Sequence, residues 1–155
     1  MLYFAYGSNL HLGHLQRRCS DVIALGRARL PGYRIAFRYP STSFPGGSAA
    51  DIIPESGSEV WGALFRIHAA DLEFLDDFED LDQGGYRRIR VEVIDEEEQA
   101  REAWSYEVVS KLAHDFKPVP EYLDLMIGGA RDFALPEDYI ESISRLASEA
   151  PPFAF

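Results

Sequence analysis

The amino-acid sequence predicts an α+β fold with a curled or barrel-like sheet, and three observations carry that expectation. Around seven short stretches read as strands, most of them bounded by Gly, Pro or Ser turn residues. Three or four stretches of helical period stand among and after them, and two of these close the chain. No repeat, low-complexity tract or linker divides the 155 residues, so they read as one domain, residues 1–155.

Leu2 to Tyr6 opens the chain as a strand, with Leu2, Phe4 and Tyr6 on one face and Tyr3 and Ala5 on the other. Gly7 then offers a backbone free to take positive φ and to approach another group closely. Ser8 and Asn9 are capping residues ahead of Leu10, Leu12 and Leu15, which predicts a short helix from Asn9 to Arg18. A strand passing through Gly-Ser-Asn into a helix start aims several N–H groups one way, an array suited to a carboxylate.

Ile23–Leu30 and Tyr33–Tyr39 read as strands joined by a turn at Pro31-Gly32. A Ser/Pro/Gly loop follows from Pro40 to Gly47. Ala49–Ile53 and Glu59–Ile67 read as two further strands separated by a turn at Pro54–Gly57. Asp71 to Asp80 is helical in period. Beyond Gly84-Gly85, Ile89, Val91 and Val93 alternate with Arg88, Arg90 and Glu92, the clearest strand in the chain. An acidic tip at Asp95–Gln99 leads to a return strand through Trp104, Tyr106 and Val108. Helices over Pro120–Phe133 and Pro136–Ser148 end the chain, with Pro136 suited to a first helical turn.

Composition restricts the function. The chain is 46% apolar and 26% charged, in the globular range. Its 15 basic against 26 acidic residues give a net charge of −11 with no basic run. That argues against nucleic acid and anionic membrane as partners. A small anionic substrate would have to be held by local donors against the overall field. A lone cysteine, Cys19, forms no intrachain disulfide and fits a reducing compartment. No basic leader with an apolar core and no membrane-length span is present, so the expectation is a soluble cytoplasmic protein.

Among the acids, those on the helix 71–80 are the most informative. Leu72, Phe74, Leu75 and Phe78 mark its apolar sector at 100° per residue. Glu79 falls at the edge of that sector, in the final turn. Asp76, Asp77, Asp80 and Glu73 fall on the solvated side, and Asp71 suits an N-cap. A partly buried carboxyl has its pKa raised toward the range of a general base. His11 and His14 share a helical face near Cys19, but no second ligand pair at a known spacing supports a metal site. Gly7-Ser8 lacks the flanking glycines of a nucleophile elbow, and neither a P-loop nor a dinucleotide fingerprint is present.

Tyr3-Phe4-Ala5-Tyr6-Gly7-Ser8-Asn9-Leu10 resembles the opening signature of the gamma-glutamylcyclotransferase family. The resemblance continues through Val60-Trp61-Gly62, Leu75-Asp76-Asp77-Phe78-Glu79 with Gly85-Tyr86, and Pro118–Tyr122 onward to Tyr139. It implies a mixed β-barrel of short strands with flanking helices and one cavity. It implies Glu79 as catalytic acid/base, Tyr3, Phe4, Ala5, Tyr6, Gly7, Ser8 and Asn9 as the substrate-binding loop, and Tyr86 and Tyr122 as cavity-wall tyrosines. The implied reaction closes the γ-glutamyl group of a small substrate to 5-oxoproline, with no metal or cofactor, in a monomer or homodimer. Related readings are a cyclotransferase for γ-glutamylamines and a non-catalytic binding protein on the same scaffold. Two features depart from the family pattern. Glu79-Asp80 stands where the family commonly has Glu-Gly, and the strand period places Tyr86 with Arg88 and Arg90 unless a bulge at Gly84-Gly85 re-aims it.

Overall fold

A computed structural model describes residues 1–79 and 84–153. Its described residues form five strands: β1 (Leu2–Ala5), β2 (Ile23–Pro40), β3 (Ser48–Arg66), β4 (Tyr86–Ile94) and β5 (Ala100–Val108). They close into a barrel in the order β1-β3-β2-β4-β5. Four helices flank it: α1 (Leu12–Leu15), α2 (Ala69–Phe78), α3 (Pro120–Asp132) and α4 (Glu137–Glu149). The expected α+β mixed barrel is the fold, and its one parallel contact joins β1 to β5 at Tyr3 and Trp104.

The strand count is corrected from about seven to five. The expected turns at Pro31-Gly32 and Pro54–Gly57 do not reverse the chain. Pro31 pairs with Glu59 and Tyr33 with Pro54, so the two irregular segments lie opposite each other inside one antiparallel ribbon. Gly32 and Gly57, both at positive φ, absorb the irregularity. Turn-forming residues on both strands at the same level give a bulged ribbon because the pairing resumes on either side. The result is two long strands, of 18 and 19 residues, in place of four short ones.

The expected helix from Asn9 to Arg18 is also corrected. A 3₁₀ turn covers Ser8–Leu10, and α1 begins only at Leu12. His11 caps α1 by accepting from the His14 N–H at 3.2 Å, while Ser8 and Asn9 cap nothing. On α2 the capping position belongs to His68, and Asp71 instead accepts hydrogen bonds from the Ser20 N–H and Oγ. Pro136 stands at the N-cap of α4, one residue before its first turn.

β1 has apolar partners on both faces, which explains its unbroken apolar sequence. Phe4 and Tyr6 join a cluster with Leu30, Phe37, Ile52, Val60 and Val93. Tyr3 and Ala5 join another with Leu10, Phe65, Leu72, Leu75 and Tyr106. α3 crosses the Ser8–Leu10 turn closely, because a Cβ on Gly129 would overlap the Leu10 backbone. That crossing brings Tyr122, at the start of α3, against the loop that follows β1.

Candidate active site

A cleft with about 590 Å³ of empty space, counting its open mouth, lies where β1 ends. The described residues lining it come from all five strands or their connections and from the ends of α2 and α3. Tyr3, Tyr6, Gly7, Ser8 and Asn9 arrive from β1 and its turn, Phe78 and Glu79 from the end of α2, Tyr86 from β4 and Tyr122 from α3. Tyr39 comes from the end of β2 and residues 41–44 from the β2–β3 connection, with Ala50 from β3 and Ser105 and Tyr106 from β5.

Glu79 is placed by its backbone. Its N–H donates to Leu75 O at 2.9 Å, ending α2, and its carbonyl accepts from the Tyr86 N–H at 3.0 Å. The residue is thus pinned between the helix and the first residue of β4, and its partly buried side chain lines the cleft.

Another part of the lining is held by the Ala50 main chain. Its N–H donates to the Tyr122 hydroxyl at 3.0 Å, and its carbonyl accepts from the Tyr86 hydroxyl at 2.6 Å. Elsewhere in the cleft the Tyr6 hydroxyl donates to Tyr106 O at 2.6 Å, and Ser105 Oγ donates to Phe4 O at 2.9 Å. Asn9 Nδ2 donates to the Tyr3 hydroxyl at 3.0 Å, while its Oδ1 accepts from Arg18 Nη1 at 3.2 Å. Each buried polar atom named here has a partner, as low-dielectric surroundings require.

Burial pushes the phenols of Tyr3, Tyr6, Tyr86, Tyr106 and Tyr122 up, and the Glu79 carboxylate adds to the rise in all five. Tyr122 is pushed up to about 12 by burial, while the Ala50 N–H and Ser8 pull the other way and Glu79 adds to the rise. Coulomb interactions fall with distance, so a charge felt by five phenols on β1, β4, β5, α3 and the loop stands among them. All five stay neutral donors at neutral pH.

Seven of the residues singled out in the sequence besides Glu79 line this one cleft: Tyr3, Tyr6, Gly7, Ser8, Asn9, Tyr86 and Tyr122. Phe4 and Ala5 do not. Phe4 is fully buried in the barrel core, and Ala5, paired with Ala63, is 1% exposed. Gly7 has φ −105°, so positive φ is not what it supplies. What it needs is space, because a Cβ there would lie 2.6 Å from the Tyr122 hydroxyl. Tyr86 faces inward without a bulge: the β4–β5 register runs unshifted from Tyr86 to Ile94. Its face is simply covered at this end.

Asp76 is not on a solvated face. Its Oδ1 accepts from the Tyr106 hydroxyl at 2.6 Å and its Oδ2 lies 3.5 Å from Arg88 Nη1. Phe74 and Phe78, assigned to the apolar sector, are 48% and 39% exposed and pack on each other. Asp80 lies outside the described residues. The sequence also gave no notice of Arg18, whose link to Asn9 spans nine positions and follows no local period, or of Asp51. The Asp51 carboxylate is fully buried beside Ala50, accepting from the Val108 N–H at 2.8 Å with Lys111 Nζ at 2.9 Å. An acid inside the apolar run 49–53 was the available signal. Among the described residues no three His, Cys, Asp or Glu side chains are grouped to hold a metal ion, and no helix is long and apolar enough to cross a membrane.

Residues 59–143, more than half of the chain, match the model of the AIG2-like family. The bovine gamma-glutamylcyclotransferase is 30% identical over 149 residues, covering 94% of this chain and 78% of the relative. The human gamma-glutamylcyclotransferase shows the same identity and the same coverage. A solved structure of a gamma-glutamyl cyclotransferase superposes with a TM-score of 0.87 at 28% identity, covering all of this chain and 90% of the other.

Proposed function

The chain belongs to the AIG2-like, gamma-glutamylcyclotransferase family, an enzyme family, and from that premise we propose its reaction and its catalytic residue. The substrate is a small γ-glutamyl compound with a free α-amine. Glu79 takes a proton from the α-ammonium, and the freed nitrogen attacks the γ-carbonyl carbon. The bond from that carbon to the leaving nitrogen breaks, Glu79 returns the proton to that nitrogen, and 5-oxoproline and the free amine or amino acid depart. An α-amine has a pKa of about 8, so it needs a base at neutral pH, and a partly buried carboxyl is better matched to that task than an exposed one. Nucleophile and electrophile belong to one molecule, so the cleft contributes mainly by folding the substrate into a reactive shape.

The observation that carries the reading is the position of Glu79, pinned between Leu75 and Tyr86 and lining the same cleft as Gly7, Ser8 and Asn9. The loop 7–9 receives the substrate's α-carboxylate, as its backbone direction suits an anion. Tyr86 and Tyr122 shape the wall beside it. Catalysis belongs to the single domain of residues 1–155, because the cleft draws on β1 through α3. The compartment is the reducing cytoplasm, in keeping with Cys19, a lone and buried cysteine whose thiol burial pushes up to about 11. Incubation with γ-glutamyl-alanine and with γ-glutamyl-ε-lysine, followed by assay of 5-oxoproline, tests the assignment. Product from the first substrate is expected. Product from the second alone would move the enzyme to the γ-glutamylamine class, and product from neither would refute the reaction.

A further inference from the structure

We propose that Asp51, braced by Lys111, is a positioning residue for substrate binding. It ties β3 to β5 beside the cleft and so fixes the Ala50 main chain, which holds Tyr86 and Tyr122. This rests on the reaction proposed above, in which those two tyrosines shape the wall beside the substrate's α-carboxylate.

The need for a tie follows from where β1 stops. β1 pairs with residues 63–66 of β3, meets β5 at Trp104, and ends at Ala5. Farther along β5, side chains take up the backbone groups that point away from β4. The Tyr6 hydroxyl donates to Tyr106 O, Asp51 Oδ1 accepts from the Val108 N–H at 2.8 Å, and Lys111 Nζ donates to Val108 O at 2.7 Å. The next amide, Val109 N–H, turns the other way, to Gly85 O at 2.9 Å. Asp51 and Lys111 thus stand along Val108 where a neighbouring strand would supply the partners. Buried backbone groups must be paired, and a carboxylate is a strong acceptor for one.

Asp51 belongs to the other half of β3, across the irregular segment 54–57 from the residues that pair with β1. Its carboxylate therefore joins that half to β5. Ala50 on the one strand and Tyr106 on the other both line the cleft. Ala50, one residue before Asp51, donates to the Tyr122 hydroxyl and accepts from that of Tyr86. A carboxylate with no exposed surface is costly to bury, and Lys111 Nζ, 2.9 Å from Oδ2, offsets that cost. Burial pushes the Asp51 carboxyl up, while the Val108 N–H and Lys111 pull it down. Its charge adds to the rise that burial gives the Tyr6 and Tyr86 phenols. Asp51 thus stands close behind the lining.

The test follows 5-oxoproline formation from γ-glutamyl-alanine in the parent, Asp51→Ala, Asp51→Asn and Lys111→Met, with amide hydrogen exchange on the same proteins. Asp51→Ala is expected to raise KM about tenfold or more and leave kcat within a few-fold, the pattern of lost uniform binding. Asp51→Asn keeps an oxygen for the Val108 N–H and should recover part of the parent's KM. The Ala50 amide should lose protection in Asp51→Ala, while the Val91 amide, in the β4–β5 ladder, keeps it. A folded Asp51→Ala protein with the parent's KM, or with equal loss of protection at Ala50 and Val91, would overturn the inference. Asp51 would then serve stability alone. If Asp51→Ala does not fold, Lys111→Met decides: a KM about threefold or more above the parent supports the proposal, and the parent's KM overturns it. A parent that makes no 5-oxoproline refutes the reaction, and the binding role with it. The exchange measurement needs no substrate and still reports whether Asp51 holds Ala50.

Discussion

Within the cleft, the wall of Gly7, Ala50 and Tyr122 is neutral and tied through the Ala50 main chain, whereas the wall of Asn9, Arg18, Phe78 and Glu79 carries both charges of the described lining. The neutral wall can offer shape and N–H donors, which discriminate by fit. The charged wall can move a proton and attract an ion. In the reaction proposed above, proton transfer falls to the charged wall and recognition of the γ-glutamyl half to the neutral one.

The largest expected effect comes from neutralising the charged wall. Glu79→Gln keeps the side-chain shape but cannot take the proton, so turnover should fall on the order of 10² to 10⁴. Binding of 5-oxoproline should stay within a few-fold, because the neutral wall is untouched. Asp77→Asn, exposed on α2, should leave turnover within a few-fold as a control. Steady-state kinetics with γ-glutamyl-alanine decide the matter. If Glu79→Gln works at the parent rate, the base is another residue and the division between walls loses its chemical half.

Gly7→Val acts on the other wall and should act differently. Its Cβ would meet the Tyr122 hydroxyl at 2.6 Å and Ala50 Cβ at 3.5 Å, so the loop must move away from α3 and β3. We expect KM to rise by roughly 10- to 100-fold, the scale of losing one or two hydrogen bonds to a charged group. Ser8→Ala should change KM by only a few-fold. Equal and small changes from both would show that the loop does not receive the α-carboxylate.

The same two walls differ in how far the sequence disclosed them. The neutral wall was legible because its parts are contiguous or rigid: Tyr6-Gly7-Ser8 follows directly on a strand, and Tyr122 follows Pro120 at the start of a helix. Of the two properties expected of Gly7, close approach is the one used, as clearance from Tyr122, and positive φ is not. On the charged wall, helical period found Glu79 but placed Asp76 in solvent and Phe78 in the core. A helical wheel knows which residues share a face, not what the neighbouring strands place against it. Tyr106 and Arg88, thirty and twelve positions away, are what hold Asp76. Arg18 escaped for the same reason. Strand count failed where local turn chemistry was overridden by pairing, at Pro31-Gly32 and Pro54–Gly57.

The smallest expected effect tests how the neutral wall is held. Tyr122→Phe keeps the ring, which packs edge-on against Phe44, and deletes only the hydroxyl that accepts from the Ala50 N–H. A buried N–H left without its acceptor costs about 1–3 kcal/mol, so urea unfolding at pH 8 should show a loss of that size. The phenol's own titration gives a second reading. Burial raises its pKa from 10.0 to about 12, so it contributes full stability below pH 10 and loses that contribution as pH rises from 10 toward 12. The variant has no such group. The gap between parent and Tyr122→Phe should therefore be widest at pH 8 and narrow by pH 11, while the other raised tyrosines lower both proteins alike. Turnover at pH 8 should fall only a few-fold, since no proton passes through this hydroxyl. A gap that stays constant from pH 8 to 11 would mean that Tyr122 is not a desolvated anchor, and that packing alone holds the neutral wall.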